Sequence, residues 1–180
     1  MDEHLGERLK KLIEKSGFES IGAFKAAELK VEPEVRAMCA VNTCQAYGKN
    51  WACPPACGSL EEYEERFSHY LDGYVFQTIA QMEDAFDFEA IEAAGAEHKR
   101  RFHLLVDETR DFGSATLLLG AGHCSICPEC SCPDAPCRFP DKVYPSMEAA
   151  GLLVSAVCNL ADVPYYHGPG TVAFCSAALY

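Results

Sequence analysis

The sequence predicts an α+β domain, a mixed sheet of about four strands with flanking helices and two projecting cysteine-rich loops. Three observations predict it. Apolar residues recur at helical spacing in some segments and as short β-branched or aromatic runs in others. Glycine and proline clusters punctuate the chain between them. A length of 180 residues with 49% hydrophobic content suits one core, so residues 1–180 read as a single domain with loops at about 39–58 and 122–140.

The elements follow in order. Residues 3–16 place Leu5, Leu9, Leu12 and Ile13 on one helical face, and Gly17 is a stop. Residues 20–29 form a first strand. Residues 31–59 are largely irregular, broken by Pro33, Gly48, Pro54, Pro55 and Gly58. Residues 60–73 form a short helix and 74–81 a strand. The longest helix spans about 84–110, with Ile91, His98, Phe102, Leu105 and Thr109 in line and Gly95 as an interruption. Residues 114–122 are a buried strand whose glycine turn delivers the chain into the second cysteine loop. Residues 146–161 read as two short helices broken at Gly151, and 171–180 as a final strand.

Composition narrows the function. A net charge of −12 argues against a nucleic-acid partner, whose phosphates call for a basic surface. No apolar run approaches the ~20 residues that cross a bilayer. The charged, amphipathic start lacks an apolar secretory core, which places the protein in the cytoplasm and off the membrane. In a reducing cytosol, eleven cysteines are metal ligands or redox groups rather than disulfides, and an odd number leaves one thiol over.

Eight of the eleven fall into two groups of four. Cys39, Cys44, Cys53 and Cys57 are spaced C-x4-C-x8-C-x3-C. Cys124, Cys127, Cys130 and Cys137 are spaced C-x2-C-x2-C-x6-C, with Cys132 as an extra. Four thiolates close a tetrahedral zinc site or a [4Fe–4S] cube. Structural zinc usually takes two separated C-x2-C pairs. The run Cys124, Cys127, Cys130 instead lets a short loop curl round a cube, as in the bacterial ferredoxin pattern. That pattern has proline directly after the fourth cysteine, whereas here Pro140 follows Cys137 at a distance. In the first group Pro54 and Pro55 stiffen the loop that carries Cys53 and Cys57.

These residues carry a resemblance: Cys39, Cys44, Tyr47 and Gly48 (C-x4-C-x2-YG), Cys53, Pro54 and Pro55 (CPP), Cys124, Cys127 and Cys130, then Cys137, Arg138 and Pro140 (CR-x-P), and Ser146, Met147, Glu148, Ala149 and Gly151. From about residue 20 to its end the chain resembles a family of small prokaryotic cysteine-rich proteins. That family is classed as a domain of unknown function, described as predicted metal-binding proteins and frequent in anaerobes and methanogens. The resemblance implies metal binding, with iron–sulfur as the metal chemistry and no established reaction. Cys132 is a departure from the pattern and leaves the ligand set of the second group open.

The remaining candidates have bland alternatives. Cys158 and Cys175 read as buried thiols acting as small hydrophobes. His123 beside Cys124 reads as a loop histidine, His98 and His103 as surface or boundary residues, and His167 as part of a turn. Arg138 is a partner for a carboxylate or a cluster sulfur. Trp51 and Tyr47 either shield the first centre or pack. The sequence lacks a dinucleotide fingerprint, a P-loop, G-x-S-x-G and H-E-x-x-H. The expectation is a cytoplasmic protein with two cysteine-ligated [4Fe–4S] clusters that carries electrons for a redox partner protein. The alternatives are a structural zinc protein using the same eight cysteines, and a thiol enzyme built on an unligated cysteine such as Cys132.

Overall fold

In a computed structural model, residues 3–84 and 86–180 are described. Five α-helices appear among them: α1 (Glu3–Lys15), α2 (Pro33–Ala40), α3 (Leu60–Ser68), α4 (Phe88–Glu108) and α5 (Val154–Leu160). Four strands, β1 (Ser20–Lys25), β2 (Asp72–Gln81), β3 (Leu117–Leu119) and β4 (Thr171–Leu179), form one open sheet in the order β1-β2-β4-β3.

The α+β class and the four strands are as the sequence predicts, but all three pairings are antiparallel rather than mixed. The connection from β2 through α4 to β3 returns the chain in the same direction, as in a parallel crossover. The last strand then inserts between β2 and β3, so every hydrogen-bonded neighbour runs the opposite way. This is the split form of a β-α-β unit.

Side chains alternate along each strand, so successive residues serve two cores. Tyr74 and Phe76 of β2, Leu118 of β3 and Ala178 of β4 meet Leu9 and Ile13 of α1 and Phe102 and Leu105 of α4. Val75, Leu117, Leu119, Ala177 and Leu179 face the other way, onto Tyr63 and Phe67 of α3 and Val154 and Val157 of α5. A sheet covered on both faces explains why β2 is buried without a break from Gly73 to Thr78.

Several local readings change. Pro33 starts α2 instead of breaking it, because its missing N–H is not needed at the first helical position and Glu32 caps in an extended conformation. Gly95 does not interrupt α4; a Cβ there would stand 3.1 Å from the Phe174 ring, so glycine lets the helix approach β4. Residues 146–151 form turns rather than a helix. His98 is not a boundary residue. It is fully buried, with Nδ1 3.0 Å from Thr78 Oγ1 and Nε2 2.8 Å from Ser176 Oγ. The sheet thus supplies hydroxyl partners that helical periodicity alone cannot reveal.

Two pins hold the cysteine loops in place. The Gly120 amide donates to Pro145 O at 2.8 Å and Gly120 bridges to Ser146, so residues 121–145 leave and re-enter the fold at one neck. The Glu32 amide donates to Gly151 O at 2.8 Å and Val31 bridges to Leu152, which fixes the start of α2 against the turn after that neck.

Candidate metal centre

The first cysteine loop runs from the end of α2 to the start of α3. Cys39 lies in the last turn of α2. Asn42, Gln45 and Gly48 then adopt left-handed φ values of 60°, 59° and 69°. These coil the chain around Cys44, and Asn42 Oδ1 accepts from the Tyr47 amide at 3.0 Å. The far end is closed by a capping box in which Ser59 Oγ accepts from the Glu62 amide and Glu62 Oε2 accepts from the Ser59 amide. Tyr63 Oη donates to Cys57 O at 2.6 Å, tying the last cysteine to α3.

Arg36, one helical turn before Cys39, braces this loop. Its Nη2 donates to Cys57 Sγ at 3.3 Å and to Gly58 O at 2.9 Å, and its Nε donates to Ala149 O at 2.6 Å. The sequence reading did not single it out. The available signal was its position, i−3 from Cys39, on a segment taken to be irregular.

The first quartet is gathered, with three members on one cavity. Cys39, Cys44 and Cys53 line a space of about 410 Å³, while Cys57 turns toward a broad groove that Cys137 also reaches. Burial pushes the Cys53 thiol up to about 12, and Cys44, Cys57, Cys39 and Cys124 add to it in that order. Burial likewise raises Cys39, with Glu148 as the next contributor and Cys44 after it. Burial raises Cys57 against the opposing pull of the Arg36 guanidinium. Thiols packed this way hold one another protonated, and a bound cation reverses that balance.

The second quartet surrounds a smaller gap. Cys124, Cys127, Cys130 and Cys137 line a space of about 20 Å³, closed by Asn50, Trp51, Ile126 and Val143. Burial raises the Cys124 thiol, opposed by the Ile126 amide and assisted by Cys130, Cys137 and Cys127. The Phe139 amide donates to Cys137 Sγ at 3.4 Å. Cys132 sits apart from that gap. It is buried in the tight turn 131–136, with its sulfur 3.9 Å from Gly48 O.

The two loops lie against each other. The buried Asn50 donates from Nδ2 to Cys124 O at 2.8 Å and accepts the Ala52 amide on Oδ1 at 3.0 Å. Trp51 Nε1 donates to Ser131 Oγ at 3.3 Å and to Ala135 O at 3.2 Å. The indole therefore serves the loop junction and the second quartet, rather than shielding the first centre alone. Sequence reading placed no weight on Asn50.

Other candidates stay outside. Arg138 donates to Glu129 O at 2.9 Å, a backbone carbonyl rather than a sulfur or carboxylate. Cys158 and Cys175 are buried with sulfurs 4.0 Å apart, and Gln77 Nε2 lies 3.4 Å from Cys175 Sγ and 3.7 Å from Cys158 Sγ. His167 Nε2 meets Gln77 Oε1 at 3.0 Å. His123 is exposed on the rim between the two quartets, beside the first cavity.

The donor set suits thiophilic metals: eight thiols in two groups, with N–H donors already aimed at Cys57 and Cys137. Among the described residues, no three His, Cys, Asp or Glu side chains converge closely enough to hold a single ion. No helix among the described residues is long and apolar enough to cross a membrane.

No curated protein and no solved structure matches the chain. A family model does, over residues 22–180, which include both quartets, the neck at Gly120 and Ser146, and the sheet apart from the first two residues of β1. The chain accordingly belongs to the family described as predicted metal-binding protein (DUF2284).

Proposed function

We propose that this protein is a two-centre iron–sulfur protein that carries electrons to or from a redox partner, with one [4Fe–4S] cluster on Cys39, Cys44, Cys53 and Cys57 and one on Cys124, Cys127, Cys130 and Cys137. The observation that carries this reading is the contact between the loops. Asn50, three residues before Cys53, is bonded to the carbonyl of Cys124, so the two sets of thiols share one wall.

Such clusters supply one-electron chemistry when bound. The chain's own residues set the terms. The Arg36 guanidinium and the Phe139 amide donate to sulfur and favour the more negative, reduced state. Glu148 near Cys39 acts in the opposite sense. Trp51 and Val143 close the second gap against water.

Protein purified under strict anaerobiosis is expected to be brown, with iron and acid-labile sulfide in equal amounts. On reduction its electron paramagnetic resonance should show magnetic interaction between the two centres. Zinc without sulfide would sink the proposal.

A structural zinc role is the second reading. It is favoured by the gap at the second quartet, which at about 20 Å³ has room for little more than one water-sized body. On that reading the metal is redox-silent, and a chelator disorders residues 121–145 without changing any visible absorption.

A further inference from the structure

The two quartets differ in what adjoins them. The second is closed, but the first opens on a space of about 410 Å³, within the size range of small-ligand sites. Its walls are of two kinds. Cys39, Cys44 and Cys53 make one side. The other carries Met38, Leu153 and Tyr165, which are 60%, 38% and 51% exposed and form an apolar rim.

The charges of this lining have one sign. No lysine or arginine lines the cavity, and Glu148 does. Within the turn 146–151, Ser146, Met147, Ala149 and Ala150 are buried, and Glu148 alone presents its side chain outward beside Cys39. Among the described residues its carboxylate has no ion pair or side-chain hydrogen bond, although it stands next to a group of thiols that become negative when they bind metal. The carboxylate is exposed, and no cation of the protein neutralises it among the described residues. An anion is repelled there, whereas a cation with apolar substituents satisfies both the carboxylate and the rim. Tyr47 and Tyr165 are on the same lining, and aromatic rings attract organic cations.

We propose that this cavity binds a small alkylammonium ion, its charge against Glu148 and its alkyl groups against Met38, Leu153 and Tyr165. The first centre is then the one that meets a small molecule, and the second is an enclosed relay. This assignment of roles rests on the two-centre reading, whereas the binding site itself rests on Glu148 and the rim.

The test titrates anaerobically purified, metal-retaining protein with tetramethylammonium, tert-butanol and pivalate, which are of similar size and carry positive, no and negative charge. Calorimetry or ligand-observed nuclear magnetic resonance reads the binding, and iron, sulfide and zinc are measured in every sample. Tetramethylammonium is expected to bind at least tenfold tighter than tert-butanol, and pivalate not at all. Glu148→Gln should weaken the cation about tenfold and leave tert-butanol unchanged, and Leu153→Trp should block both. Both side chains are solvent-facing, so neither substitution threatens the fold. Equal binding of the cation and the alcohol, or a cation affinity indifferent to Glu148→Gln, overturns the proposal. If zinc replaces iron and sulfide but the cation preference and its Glu148 dependence persist, the two-cluster reading falls and the cation site stands. If iron and sulfide are present and the preference is absent, the cation site falls alone.

Discussion

Arg36 and Cys57 are 21 positions apart, on either side of the first cysteine loop, and the guanidinium Nη2 stands 3.3 Å from the sulfur. The same side chain holds the Gly58 and Ala149 carbonyls, so one residue joins α2, the end of the loop and the turn after the second-loop neck. It is at once a structural brace and the nearest positive charge to a candidate ligand.

Arg36→Gln should therefore act in two ways. Loss of the fork, with partly buried carbonyls left unpaired, should cost about 2–4 kcal/mol in thermal or denaturant unfolding. If the first quartet holds the proposed cluster, loss of the charge beside Cys57 should lower its reduction potential by on the order of tens of millivolts. Arg36→Lys should restore more of the potential than of the stability, because it keeps the charge and loses the fork. A potential unchanged in both variants rules out the electrostatic role.

Cys132 and Cys130 separate packing from ligation. Cys132 lies in a turn against Gly48, while Cys130 lines the gap of the second quartet. Cys132→Ala should retain full metal content at a cost of about 1 kcal/mol. Cys130→Ala should lose the second centre. Metal analysis of the two variants decides, and depletion in Cys132→Ala would return that residue to the ligand set.

Asn50 is buried and satisfied at both ends, by Cys124 O and the Ala52 amide. Asn50→Ala should cost about 1–3 kcal/mol. It should raise hydrogen exchange in both loops together, at 48–53 and 124–137. Faster exchange in one loop only would mean that the loops are held independently.

His98 gives the stability an acid limb. Burial first, then Arg101 and Lys99, hold its pKa at about 4, against an ordinary 6.5. The unfolded chain takes up a proton below pH 6.5 that the folded chain refuses until about 4. Stability is thus fully present above 6.5 and is lost as pH falls toward 4, by up to about 1.4 kcal/mol per pH unit. His98→Gln should flatten this slope in urea unfolding measured at pH 7, 6 and 5.

Cys53 predicts crossed behaviour at alkaline pH. Its thiol sits at about 12 in the fold, against an ordinary 9.0. The metal-free protein keeps that contribution below pH 9 and loses it as pH rises toward 12. Metal binding needs the thiolate and releases the proton, so the stabilisation by metal grows with pH. The gap in melting temperature between metal-loaded and chelator-treated protein should widen from pH 7 to pH 9. A constant gap counts against Cys53 as a ligand.

The scaffold was legible wherever the pattern was local. Leu9 and Ile13 on α1, the buried run of β2 and the Phe102–Leu105 face of α4 all show their period in the chain. The antiparallel sheet was not legible, because the insertion of β4 between β2 and β3 is a choice among pairings distant in sequence, from Leu119 with Ala177 to Gly73 with Leu179. His98 was misread because its partners, Thr78 and Ser176, lie on two strands that no helical pattern mentions. At the candidate site the two quartets and the odd status of Cys132 were visible from spacing. Arg36, Asn50 and the outward-facing Glu148 were not. Each matters through a neighbour distant in sequence, Cys57 and Ala149 for the first, Cys124 for the second and Cys39 for the third.

The two hydrophobic cores on either side of the sheet contain no member of either quartet; the only cysteines in them are Cys158 and Cys175. The neck at Gly120 and Ser146 closes through backbone bonds that involve no sulfur. In a small zinc domain, by contrast, metal binding is itself the folding free energy. Here the sheet and its two cores are held by contacts that involve no quartet sulfur, so the scaffold can form before the loops receive a metal. Loading with metal then becomes separable from folding of the scaffold, so that loss of the metal need not discard the polypeptide.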